Sequence, residues 1–201
     1  MNFRIVALSL LLIAPAALAQ KYQSSGKPGG TDRAAMLKSL ERGKTLKGSG
    51  DQYQQLPQVF AVTLANSNEQ PQAAIARTSD SGAQLVETKG KLVLYRSATS
   101  RPAVLQSAGS ASVFPTVVNT RTGTLGVLTG TLIVRPKKMS DADAIASSHG
   151  LQKSKAYEQL QTVFYKVKPG ADIADVSAAL QADPRIEIAY PEIIEHVRVP
   201  K

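Results

Sequence analysis

Hydrophobic and polar positions follow two different rhythms along this chain, and the change falls near Gly130. Upstream, from Leu56, the texture is that of short strands and turns. Val59-Phe60-Ala61-Val62-Thr63-Leu64 is rich in strand formers. Leu85–Thr88 and Lys91–Tyr95 flank Lys89-Gly90, which reads as a tight hairpin turn. Val113–Val118 and Thr124–Leu128 flank the polar run Asn119–Gly123 and read as a second hairpin. The stretches Asn66–Ser81 and Ser97–Ser112 are polar and carry Gly, Ser or Pro, so loops are expected there.

Downstream of Gly130 the order becomes strand, helix, strand, strand, helix, strand. Thr131–Pro136 is the first strand. Ser140 is expected to cap the helix that follows, with Asp141 and Asp143 in its first turn, where the helix dipole favours acids. Gly150 closes that helix at a position that wants a left-handed residue. Leu151–Tyr157 and Thr162–Lys168 are two more strands, and Pro169-Gly170 is a turn. The second helix, from about Asp172 to Ala182, turns Ile173, Val176, Ser177 and Leu180 inward at helical spacing. The last strand, Arg185–Tyr190, lies between stops at Asp183-Pro184 and Pro191. Alternation places Ile186, Ile188 and Tyr190 on one face and Glu187 and Ala189 on the other. Two right-handed crossovers in this order predict an α+β chain. Its C-terminal ferredoxin-like βαββαβ domain, a four-stranded antiparallel sheet with both helices on one face, follows a small β-rich region. The other sheet face is expected to stay uncovered and to serve a partner.

Composition changes the picture mainly at the ends. Arg4, the apolar run Ile5–Ile13 and Ala17-Leu18-Ala19 have the layout of a signal peptide that leaves Gln20 first. Nine apolar residues are too few to span a bilayer, so a periplasmic or secreted mature protein is expected, with no membrane partner. The chain has no cysteine, which removes disulfides, thiolate metal sites and thiol nucleophiles. The net charge of +9 is uneven: residues 20–50 hold seven Lys or Arg against two acids, residues 127–201 ten against nine. The expected organisation is therefore a signal peptide over 1–19, a flexible basic arm over 20–55, the β-rich region over 56–126, the ferredoxin-like domain over 127–194 and an extended tail over 195–201.

Catalytic and cofactor chemistry find no footing. Two histidines with scattered acids give no metal-ligand spacing, and no nucleophile-elbow serine accompanies them. His149, next to a helix-ending glycine, reads as a cap or surface residue, and Asp141 and Asp143 as first-turn charges. Phe164 and Tyr190 read as core. The basic arm interleaves no aromatic residue beyond Tyr22, so nucleic acid is not an expected partner. It leaves one alternative function, a basic periplasmic binding module for an anionic polymer or envelope surface.

The ordered set Thr131-Leu132-Ile133-Val134-Arg135, His149-Gly150-Leu151, Val163-Phe164-Tyr165-Lys166-Val167, then Val176, Leu180 and Asp183-Pro184-Arg185-Ile186-Glu187-Ile188-Ala189-Tyr190-Pro191-Glu192, resembles the propeptides of subtilisin-like serine proteases. Tyr190 departs from the pattern, which commonly has an acid there. With no protease following Lys201, the resemblance is to stand-alone members, the external chaperones of secreted kexin-like subtilases. It implies a non-enzymatic protein, without cofactor, that binds a subtilisin-like serine protease, helps it fold and blocks its cleft. The expected partner-binding residues are Glu192 and the tail His196, Val197, Arg198, Val199, Pro200 and Lys201. Val is β-prone and Pro200 disfavours helix at Val199, so the tail is extended and suited to lie product-like in a substrate cleft.

Overall fold

The computed structural model describes residues 30–100, 106–108 and 111–196. The chain divides into two units, Met1–Lys38 and Ser39–Lys201. Of the first, the described part belongs to a single helix, α1 (Gly30–Ser39), with Lys38 in its last turn. The second unit is mixed α+β and mostly antiparallel sheet.

Its strands, in chain order, are β1 (Thr45–Lys47), β2 (Gln52–Thr63), β3 (Gln84–Lys89), β4 (Leu92–Arg96), β5 (Gln106–Ala108), β6 (Ala111–Asn119), β7 (Leu125–Pro136), β8 (Gln152–Tyr157), β9 (Thr162–Lys166) and β10 (Ile186–Ile194). Three helices interrupt them: α2 (Pro71–Ala76), α3 (Ala142–Ser148) and α4 (Ile173–Ala182). The sheet runs β3-β4-β2-β6-β7-β9-β8, and β10 lies along β7.

β7 joins the two halves. Its opening residues pair with β6 (Thr116 opposite Val127, Val118 opposite Leu125) and its later ones with β9 (Leu132 opposite Tyr165, Val134 opposite Val163). β10 follows it almost end to end, from Ile186 opposite Pro136 to Ile194 opposite Val127. The expected boundary between residues 126 and 127 therefore falls inside one strand. Gly130, near which the rhythm of the sequence changes, stays in the strand at φ +80, and its carbonyl accepts a hydrogen bond from Val167 N–H at 2.9 Å. Only glycine takes that backbone angle without steric cost.

The helices form where local chemistry directs them. Asp172 caps α4 by accepting a bond from Ala174 N–H at 2.8 Å. Gly150, at φ +63, ends α3 with the paired bonds Leu151 N–H to Ala146 O and Gly150 N–H to Ser147 O, a Schellman closure. Ser140 makes no cap; Met139–Asp141 winds as a 3₁₀ turn ahead of α3 instead. α2 occupies part of the expected loop 66–81, because Pro71 starts a helix well and Ala73–Ala76 continue it.

Leu132, Val134, Val163, Tyr165, Ala189 and Ile186 turn toward α3 and α4 and pack with Ile145, Ile173 and Leu180. Leu46 and Tyr53 enter the same core. The arm expected over 20–55 is thus folded from Ser39 onward. A second core joins Phe60, Val62, Val93, Tyr95 and Val113 to Ala74 and Ile75 of α2. Val59, Ala61 and Leu94 are buried as well, so β2 and β4 are covered on both faces, as their unbroken apolar runs require.

Candidate protein-docking face

Strand period sends alternate residues of β7, β9 and β10 away from the helices. Ile133 stands opposite both Phe164 and Tyr190, and Arg135 opposite Ile188. On β8, Tyr157 sits opposite Thr162 and meets the Phe164 ring edge-on, with centroids 5.7 Å apart and planes at 73°. α3 and α4 pack on the opposite face of these strands. Ile188 is 42% exposed, Tyr157 44%, and Leu160 in the adjoining turn 65%. Ile133, Phe164 and Tyr190 are half-buried.

The Gly48-Ser49-Gly50 turn between β1 and β2 borders the face. Together with Ile133, Arg135, Thr162, Ile188 and Tyr190 it encloses a shallow depression of about 310 Å³. Gly48 is required there, since a Cβ on it would lie 2.5 Å from the Tyr53 ring. Charges rim the patch: Arg135 lies 3.9 Å from Glu187, and Lys155 and Lys166 are exposed on the neighbouring strands.

The face owes its composition to a β-bulge. Pairing slips between Ile186 and Ile188, where Pro136 and Arg135 are the consecutive partners. Glu187 is the extra residue. Ile186 therefore points into the helix-side core and Ile188 and Tyr190 point out, which corrects the single-face reading of all three. Ala189 faces inward and is buried. Phe164 and Tyr190, expected in the core, belong to this outward face. Their half-exposure follows from their pointing away from α3 and α4.

Pro191 does not end the last strand. It stands opposite Leu132, and β10 continues to Ile194. β10 pairs with β7 on one side only, so a residue lacking an N–H is tolerated. Glu192 lies at a second register shift, and its carboxylate accepts a hydrogen bond from Thr129 Oγ1 at 2.5 Å. Of the expected tail, Glu195 is half-buried and bonded to the upstream strands, and His196 is exposed. Val197, Arg198, Val199, Pro200 and Lys201 lie outside the described residues, as does the expected signal peptide.

The remaining candidates are structural. His149 Nε2 meets Asp183 Oδ2 at 2.8 Å, and Arg185 Nη2 meets the same oxygen at 2.6 Å. The Arg185 guanidinium, then His149, hold the Asp183 carboxyl far below the usual carboxylate range. Asp143 pairs with Lys153. Lys44, one of the basic-arm charges, bonds Asp172 at 2.9 Å and Asp175 at 2.6 Å. Burial raises the Asp172 carboxyl, but Lys44, Ala174 N–H and the Gln55 amide outweigh it, and the net direction is down. Among the described residues no cluster of His, Cys, Asp and Glu has the makings of a metal site.

No curated protein matches the chain. A solved structure described as the crystal structure of the Aeromonas sobria serine protease (ASP) and the chaperone (ORF2) complex is similar to it. That chain has 18% identity, with 49% of this chain and 99% of that chain covered and a TM-score of 0.36. The family shown is not the subtilase propeptides that the sequence resembles: by a match over residues 35–198, the chain belongs to the family described as the open reading frame 2 N-terminal domain.

Proposed function

We propose that this protein is an exported, non-enzymatic chaperone of a secreted subtilisin-like serine protease. It docks through the uncovered face of β8, β9, β7 and β10. The observation that carries the reading is the cluster of Ile133, Tyr157, Phe164, Ile188 and Tyr190 left half-covered on one sheet face. Contiguous exposed apolar patches with a polar rim mark interaction sites. Fully burying an isoleucine is worth about 1.5–3 kcal/mol, and with 42% of Ile188 still exposed roughly 0.6–1.3 kcal/mol of that is left unused at this one residue. The order β10-β7-β9-β8, antiparallel throughout, supports a ferredoxin-like domain like that of the propeptides. The class of partner comes from that resemblance. It also accords with the pairing of an ORF2 chaperone with a serine protease in the Aeromonas complex.

A partner bound only when folded is stabilised by mass action, by about 2.7 kcal/mol when the chaperone is present at a hundred times Kd. The residues after His196 then lie product-like in the protease cleft, adding inhibition to assisted folding. Lys44 speaks against the alternative of an anionic-surface module, because its ammonium is already engaged by two aspartates.

The test is co-expression of the subtilisin-like protease secreted by the same cell, with and without this chain. Active protease and a co-purifying complex are expected only with the chain present. Equal yields of active protease and no complex would overturn the proposal.

A further inference from the structure

The strands upstream of β7 meet the carboxy-terminal end of β10 at a polar cluster that the docking face does not use. Lys89, the last residue of β3, donates from Nζ to two carbonyls, Leu125 O at the start of β7 and Glu195 O just past β10 at 2.9 Å. β3 lies four strands from β7 in the sheet order. At a spacing of about 4.8 Å per strand a flat sheet would put them about 19 Å apart, beyond the reach of a lysine side chain. The upstream strands therefore curl until their far edge touches the chain where it leaves β10. Lys89 is largely buried there, its side chain 13% exposed.

Asn119, at the end of β6, holds the same residue by its side chain. Its Nδ2 donates to Glu195 Oε1 at 3.0 Å and to Asp51 Oδ2 at 3.1 Å, while its Oδ1 accepts from Arg121 N–H and Thr122 N–H. Both amide hydrogens and both acceptor lone pairs are thus engaged, which leaves the amide one orientation. Arg121 in turn locks Asp51 through Nε at 2.9 Å and Nη2 at 2.7 Å. Burial, then the neighbouring Glu195 carboxylate, pushes the Tyr53 phenol up to about 12, so it faces that carboxylate as a neutral group.

We infer that Lys89 and Asn119 form a clamp on Glu195 that holds the carboxy-terminal end of β10 against the upstream strands. The upstream β region then acts as a positioning device for that strand end. The clamp rests on the proposed function only for its use: a strand end held in place before binding loses less freedom on docking, and preorganisation of this kind raises affinity.

The absence of cysteine allows a direct test. A nitroxide placed at His196→Cys, an exposed position, reports the motion of the residue next to Glu195. We expect a restrained spectrum in the full chain and a severalfold faster label motion when Lys89→Met or Glu195→Ala is added. A label at Glu158→Cys, in the β8–β9 turn, stays unchanged. Should Lys89→Met fail to fold, Glu195→Ala carries the test alone, being half-buried at the strand end. Equal mobility at 196 with and without the clamp, in variants that melt cooperatively, overturns the inference. In protease inhibition, the same variants are expected to weaken the full chain about tenfold and to leave a chain ending at His196 unaffected. A full chain that does not inhibit at all sinks the proposed tail function, while the label still decides the clamp.

Discussion

His149 and Asp183, 34 residues apart, meet at 2.8 Å and tie the end of α3 to the turn between α4 and β10. Arg185 closes on the same carboxylate from the other side, and the Asp183 side chain is 6% exposed. The contact fixes the entry of the bulged strand whose outward residues make the proposed docking face.

The pH dependence of stability follows from that carboxylate. Its folded pKa is depressed below an unfolded value of about 3.9. The stabilisation it supplies is therefore complete above the unfolded value and is lost as pH falls from about 4 through the folded value. Asp183→Asn is expected to lower the melting temperature at pH 7, and the gap to wild type should shrink progressively below about pH 4. A gap that stays constant from pH 7 down to pH 2 would show that the ion cluster is not its source.

Asp172 performs two tasks, capping α4 and holding Lys44 and Gln55 of the β1–β2 segment. Asp172→Ala should cost about 1–2 kcal/mol in urea unfolding, the range of a lost N-cap. Asp175→Ala keeps the cap and removes only a more exposed Lys44 contact, so it should cost distinctly less. Equal losses in the two variants would contradict the capping role.

Gly126 lets β10 lie close to β7. A Cβ at this position would stand 2.4 Å from Ile193 Cγ2 and 3.2 Å from Val117 Cγ2. Gly126→Ala is therefore expected to destabilise the fold by about 1–3 kcal/mol, the usual cost of overpacking. Amide exchange should rise first at Ile193 and Ile194. Unchanged exchange there would mean that the strand end accommodates the methyl group.

Local rules reach part of this structure. The β3–β4 hairpin, though its turn falls at Gly90-Lys91 and not at Lys89-Gly90, the start of α4 near Asp172 and the helix stop at Gly150 are readable because each depends on residues within a turn of one another. The inward face of α4 is readable as well, through period. The bulge at Glu187 is not, because alternation assumes an unbroken register and one extra residue reverses everything before it. Pro191 and Gly130 mislead for a related reason: each breaks a strand in isolation, and each is tolerated here by its place in the sheet. The docking face needed Phe164 and Tyr157 to be assigned a side, and only the positions of α3 and α4 decide that. The signal was present as Thr162, Phe164 and Lys166 alternating with Val163, Tyr165 and Val167. Lys89 and Asn119 reach Glu195 across 106 and 76 residues, separations over which no local pattern carries information.

The central claim is that the uncovered sheet face binds the protease, and its most direct test is the affinity of the purified serine protease for two surface variants. Ile188→Asp and Phe164→Glu each place a charge in the apolar patch without entering either core. The account predicts that each weakens binding by at least about tenfold, the scale of an interface anchor, while the melting temperature hardly moves. Unaltered affinity in both variants, with the protease still bound, would place the partner elsewhere on the protein.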